Sequence, residues 1–212
     1  QPPSGTAEPR AIPRNLLALE TSTPWLSLAL CRGEALYSRH IEAGQRHAEL
    51  TLDALQALLD EAGMSVADLQ GIVFGAGPGS FTGLRIAASV TQGLAFGAGL
   101  PVLPVSDLRA LAVQALAESP SGFEAKAVLA CLDARMHEVY AALFPIEPGA
   151  EAAPTLGAGR EQVIAADALV AELVKAETPG PGWLGIGKGF EAYASAFAPL
   201  ALAPAHSWPN AE

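Results

Sequence analysis

Three short β-prone runs open the chain, Asn15 to Glu20, Leu26 to Cys31 and Ala35 to His40, separated by the turn residues Ser22-Thr23-Pro24 and Arg32-Gly33-Glu34. Such spacing predicts an antiparallel meander. The period then changes. Ala48, Leu52, Leu55, Leu59 and Ala62 recur at helical spacing, with Glu49, Asp53, Gln56 and Asp60 on other faces and Gly63 placed to end the helix. Gly71 to Phe74 reads as a buried parallel strand, and a glycine-rich turn leads into a helix over Leu84 to Phe96. Strand Val102 to Val105 follows, then a helix over Leu108 to Ala117 capped by Ser106-Asp107.

After the linker-like Glu118-Ser119-Pro120-Ser121-Gly122 the pattern restarts. Two β-prone runs, Ala127 to Leu132 and Glu138 to Phe144, precede a Pro/Gly/Ala-rich loop through Gly159. A helix over Asp167 to Lys175, strand Trp183 to Ile186 and helix Phe190 to Phe197 complete it. Each half begins with antiparallel strands and continues helix–strand–helix, a repeat of topology without visible identity. The expected fold is a duplicated α/β fold of two lobes, 15–117 and 127–212, joined by a linker over 118–126. Residues 1–14 hold four prolines and no apolar periodicity, which predicts a disordered leader. Ser207 to Glu212 resembles a helix start with no helix after it, so the last helix is expected to be missing.

Composition narrows the function classes. Among 212 residues, 12 Lys and Arg face 22 Asp and Glu, and the net charge of −10 repels nucleic acid phosphate, which argues against unaided RNA or DNA binding. Cys31 and Cys131 stand alone without C-x-x-C spacing, which suits free thiols in a reducing, cytoplasmic setting. The most hydrophobic run, Gly93 to Val105, is broken by Gly97, Gly99, Pro101 and Pro104 and falls short of the roughly 20 residues a membrane span needs.

The turn Gly75-Ala76-Gly77-Pro78-Gly79-Ser80-Phe81-Thr82-Gly83-Leu84-Arg85 lacks the Lys of a phosphate-cradling P-loop. Gly75, Gly77 and Ser80, or Gly77, Gly79 and Thr82, each miss the last glycine of a dinucleotide fingerprint. Two readings stand: helix-opening N–H groups aimed at an anion, or a tight connection in which Gly77 and Gly79 let strand and helix pack. Packing is preferred, with Ser80 and Thr82 as helix caps and Arg85 in an ion pair or on a phosphate. The helix beyond carries only Arg85 and Gln92 as strongly polar side chains, and Ala87, Ala88, Ser89, Gly93 and Ala95 leave little bulk. A helix apolar all round must be buried all round. One sheet covers one face, so the other meets another protein, or a second domain of the same chain.

Leu19-Glu20-Thr21-Ser22-Thr23, His47-Ala48-Glu49, Gly77 to Ile86 and Leu132 to Tyr140 together resemble the TsaB (YeaZ) family, over about Leu16 to Tyr193. The resemblance implies the actin-like, sugar-kinase-like ATPase fold and a role in making threonylcarbamoyladenosine beside the anticodon of transfer RNA. It also implies a catalytic paralogue, TsaD, and the ATPase TsaE as partners. Glu20 departs from the Asp usual at that position.

On that reading the chain is a non-catalytic scaffold with no cofactor and no metal. It pairs with TsaD, and with itself when TsaD is absent, and meets transfer RNA only through the complex. The expected partner face comprises His47, Leu50, Thr51, Ala54 and Leu58 on one helix and Arg85, Ala88, Ser89, Gln92 and Phe96 on the other. The catalytic paralogue is similar in carrying two histidines one helical turn apart, whereas His47 is followed at that spacing by Leu50 and Thr51, so a surface or capping histidine is expected. The phosphate loops of actin-like ATPases would map to Glu20, Thr21, Ser22 and Thr23 and to Asp133, Ala134 and Arg135. Neither holds a glycine, which predicts a degenerate cleft. Gly185 and Gly187, before Lys188-Gly189, would pass an adenosine or make a plain strand-to-helix turn. A stand-alone ATPase or kinase and a metal-dependent peptidase are the competing classes.

Overall fold

A computed structural model describes residues 14–119, 123–147, 155–176, 182–200 and 202–204. The chain divides into two compact units, one formed by the chain up to Phe74 with Thr82–Pro104, the other by Gly75–Phe81 with the chain from Val105 on.

In the first unit β1 (Asn15–Glu20), β2 (Trp25–Arg32) and β3 (Ala35–Glu42) form the expected meander. Helix α1 (His47–Ala62) follows, then β4 (Gly71–Gly75), α2 (Phe81–Ala98) and β5 (Val102–Val105). The sheet order is β3-β2-β1-β4-β5, with β4 parallel to β1. Alternation along β2 buries Leu26, Leu28 and Leu30, and the register sets Leu30 against Leu17 and Leu28 against Leu19. Leu55, Leu58, Leu59 and Ala62 of α1 belong to the same core. Each fully buried leucine contributes about 1.5–3 kcal/mol.

The buried stripe of α1 differs from the one expected. It is His47, Thr51, Leu55, Leu58, Leu59 and Ala62, while Ala48 and Leu52 face outward. A polar residue holds a core position because Thr51 Oγ1 donates to His47 O at 2.6 Å, which satisfies the hydroxyl inside the helix. Arg14, expected within a disordered leader, is bound into the fold: its N–H donates to Gln70 Oε1, and its carbonyl accepts from Gly33 N. Residues 1–13, and the expected truncated helix start at 207–212, lie outside the described residues.

The second unit repeats the plan. Strands β6 (Ala127–Arg135) and β7 (Glu138–Glu147) form a hairpin, followed by β8 (Thr155–Leu156), β9 (Arg160–Ala165), α4 (Ala166–Lys175) and β10 (Trp183–Ile186). Two four-residue helices, α5 (Gly189–Ala192) and α6 (Ala194–Phe197), and β11 (Ala203–Pro204) complete it. Taken as β9-β7-β6-β10-β11, with β10 parallel to β6, the strands reproduce the order of the first sheet. This is the duplicated α/β fold expected from the sequence.

Three expectations are corrected here. Strand β9 stands where only a loop and a helix start were expected, because Arg160, Glu161 and Gln162 hide an edge strand whose charged side chains face solvent. The single helix over Phe190 to Phe197 is two, parted at Tyr193, whose φ of −128° and ψ of 40° leave the helical region. Helix α3 (Asp107–Ala117), capped by Ser106 as expected, belongs to the second unit and not to the first lobe. Its Leu108, Leu111, Ala112 and Ala115 share a core with Val128, Ala130, Ala142, Phe144, Leu184 and Ile186. The chain therefore passes between units at 74/75, 81/82 and 104/105, and the described residues of the polar stretch at 118–126 belong to the second.

Candidate functional site

The glycine turn serves packing, through a different glycine from the two expected. A Cβ on Gly83 would stand 1.9 Å from Thr21 O and 2.8 Å from its carbonyl carbon, so the first turn of α2 rests directly on the backbone leaving β1. The contact is closed by Thr21 Oγ1, which donates to Gly83 O at 2.7 Å. Gly77 has a left-handed φ of 98° and accepts from Asp107 N, while Ala76 N donates to Val105 O. Because α2 starts at Phe81, Ser80 stands just before the helix, whereas Thr82 lies inside it and is no cap.

From this anchorage α2 sends Gly83, Ala87, Thr91 and Ala95 inward and leaves Arg85, Ala88, Ser89, Gln92 and Phe96 exposed. Phe96 is 91 % exposed. Beside it a groove of about 520 Å³ is lined by Phe74, Ala88, Thr91, Gln92, Ala95, Phe96, Gly99, Leu100 and Val102. Among the described residues the outer face of α2 is left exposed. On α1, Leu50 and Ala54 are half-buried against the core, while His47, Thr51 and Leu58 are buried in the first unit, below any surface a partner could touch. Sequence reasoning missed Phe74, Leu100 and Val102, which join the α2 residues around the groove. The glycines flanking Phe96 and Leu100 were the available signal.

His47 is neither at the surface nor a cap: it is buried, its Nε2 has no hydrogen-bond partner, and Arg46 holds the N-cap position without a side-chain bond. Thr21 and Ser22 of the first loop are buried too, and Ser22 N donates to Glu20 Oε1, so that carboxylate is turned onto its own loop.

In the second unit Asp133 Oδ1 accepts from Arg135 N at 2.8 Å and from the Tyr193 hydroxyl at 2.9 Å, and Oδ2 lies 3.5 Å from the Arg135 guanidinium. The Arg135 N–H, helped by the Tyr193 hydroxyl and the guanidinium, holds the Asp133 carboxyl below the ordinary carboxylate range. Tyr193, which sequence reasoning left unassigned, has its phenol raised by partial desolvation and then by Asp133. A Cβ on Gly185 would meet Leu202 and Phe190, one on Gly187 would stand 2.3 Å from Cys131 O, and one on Gly189 would stand 2.4 Å from Cys131 Sγ. These glycines admit the β10–α5 turn over β6. Burial pushes the Cys131 thiol up to about 12. Among the described residues no three His, Cys, Asp or Glu side chains gather as a metal site, and no helix is long and apolar enough to cross a membrane.

Comparison with known proteins agrees with this architecture. The family model for TsaD, tRNA N6-adenosine threonylcarbamoyltransferase, matches residues 41–152. The tRNA threonylcarbamoyladenosine biosynthesis proteins TsaB of Haemophilus influenzae and Escherichia coli are 45% and 40% identical over 126 residues, 59% of this chain and 51% and 52% of theirs. The chain thus spans about half the length of the curated relatives it matches. A crystal structure from Pseudomonas aeruginosa, described as an uncharacterized protein similar to peptidase YeaZ, superposes with a TM-score of 0.74 at 37% identity, covering 92% of this chain and 83% of that one. With 83% of a YeaZ-like structure covered at 37% identity, and the TsaD family model matching more than half of its residues, the chain belongs to the TsaB (YeaZ) family.

Proposed function

We propose that the chain is a non-catalytic subunit in the formation of threonylcarbamoyladenosine in transfer RNA, organising a TsaD-like catalytic paralogue and a TsaE-like ATPase. The observation that carries this reading is the outer face of α2, where Phe96 stands exposed beside an apolar groove on a helix of small side chains. Exposed apolar area of this kind marks an interface, and Ala88, Ser89 and Gly93 permit close helix approach. Arg85, Gln92 and Phe96 are the polar and aromatic contacts, with Leu50 and Ala54 at the margin. The same face pairs two copies when the paralogue is absent. Transfer RNA, repelled by the net charge of −10, is held by the other subunits.

The absence of turnover in this subunit is supported by where its polar groups are committed. Thr21 is tied to Gly83, Glu20 to Ser22 N, and Asp133 to Tyr193 and Arg135, and the Gly185-to-Gly189 turn is filled by packing. Reconstitution tests the reading: with paralogue, ATPase, ATP and transfer RNA present, omission of this chain abolishes modification, and Phe96→Asp weakens association with the paralogue at least about tenfold. Modification that proceeds unchanged without the chain rejects it.

A further inference from the structure

By register the two sheets match position for position. Leu16 of β1 lies beside Cys31 and Gly71, and Ala18 beside Ala29 and Val73. In the second sheet Val128 lies beside Phe144 and Leu184, and Ala130 beside Ala142 and Ile186. Their surroundings differ. The residues of the second sheet are at most 3 % exposed, because α3 lays Leu108, Leu111, Ala112 and Ala115 over them. Of their counterparts on the first sheet only Gly71, which has no side chain, is buried; Leu16, Ala18, Ala29, Cys31 and Val73 are half-buried.

A face left open in this way is unusual for parallel strands, which are ordinarily buried on both sides. β1 and β4 run parallel, as do β6 and β10. The run Leu16-Leu17-Ala18-Leu19 is apolar throughout, yet only Leu17 and Leu19 join the core with α1 and α2, and alternation puts Leu16 and Ala18 on the other face.

Chain order says which element would cover it. Helix α3 follows β5, the last strand of the first repeat, and covers the sheet of the second unit. Among the described residues no helix follows β11, the last strand of the second repeat. The helix-start pattern of Ser207 to Glu212 stands shortly after β11 in the sequence, as the Ser106 cap of α3 stands just after β5.

We propose that the outer face of the first sheet is the seat of a helix that follows β11 in the chain, the counterpart of α3, so that each repeat ends in a helix covering the sheet of the other. Its apolar stripe has the spacing of Leu108, Leu111, Ala112 and Ala115. It also carries bulkier side chains than α3 does. Cys31 and Gly71 stand where the second sheet has Phe144 and Leu184, and interior packing density leaves no room for the resulting void. This inference is independent of the subunit reading and concerns the face of the sheet opposite α2.

The test compares the chain of 212 residues with the same chain continued to the end of its reading frame. Cys31, on the proposed seat, is the reporter. In the native state a disulfide reagent labels Cys31 at least about tenfold more slowly in the continued chain. Val73→Asp, which sets a charge into the seat, restores fast labelling there and lowers the melting temperature by about 5 °C or more, against less than about 2 °C in the 212-residue chain. Val163→Asp, at an exposed valine of β9, does neither. Equal labelling of Cys31 in the two chains overturns the proposal, as does a reading frame without an amphipathic stretch of helix length after Pro204. Protection of Cys31 in the 212-residue chain that is lost on dilution assigns the seat to a second copy and overturns it as well.

Discussion

The hydroxyl of Thr21 donates to the carbonyl of Gly83 at 2.7 Å, and the space for a Cβ on Gly83 is already filled by Thr21 O. The end of β1 and the first turn of α2 are thereby locked together, and the exposed α2 face is held in place by a backbone contact 62 residues distant in sequence.

Gly83→Ala forces α2 off β1, because the obstacle is backbone and cannot rotate away. The expected loss is about 3 kcal/mol or more, read from urea denaturation. Gly93→Ala is the control: nothing lies within 4 Å of its added Cβ, and helix propensity predicts a gain of about 0.5–1 kcal/mol. Equal effects at the two sites would contradict the packing described here.

Thr91 is 2 % exposed and its Oγ1 has no partner. An unsatisfied buried hydroxyl is destabilising, so the isosteric Thr91→Val is expected to gain about 1 kcal/mol. A loss of that size would show that the hydroxyl is bonded in solution.

The Asp133 carboxyl is held below its ordinary value, first by the Arg135 N–H and then by Tyr193 and the guanidinium. A depressed folded-state pKa gives stability that is present above the unfolded value, near 3.9, and is lost as pH falls through the folded one. The stability difference between the parent and Asp133→Asn should therefore be constant near neutrality and shrink below about pH 4. A gap that persists down to about pH 2 would exclude the carboxylate as its source.

Cys131 is fully buried, with its thiol pushed up to about 12, whereas Cys31 is half-buried. In the folded protein at mildly alkaline pH, a disulfide reagent should titrate Cys31 first and reach Cys131 only on unfolding. The raised value gives stability present below the ordinary thiol pKa. It is lost progressively as pH rises towards about 12, because the unfolded thiol ionises first. Rapid labelling of both thiols in the native state would count against the closed β6–α5 packing.

Much of the fold was legible in the chain. The meander, α1, β4, β5, α4 and β10 lie where apolar periodicity and turn residues put them, because those signals are local. Strand β9 escaped because an edge strand bears charged residues that read as loop, and the final helix is parted at Tyr193, whose hydroxyl bonds Asp133, 60 residues away in the chain. The candidate site was less legible. His47, Thr51 and Leu58 were read as a surface although they are buried, since one residue of rotation around α1 separates core from solvent. Helix α3 was assigned by sequence neighbourhood, while burial of its stripe is satisfied on the second sheet.

By itself the sequence determined the duplicated α/β plan, the sparse, small-residue character of α2 and the family, all carried by local pattern and motif. Only tertiary structure decided that Gly83, not Gly77 or Gly79, bears the close contact, and that Phe74, Leu100 and Val102 join Phe96 around one groove. These depend on which backbone atoms occupy the same few ångströms, and packing between segments far apart in the chain settles that, whatever each segment prefers alone.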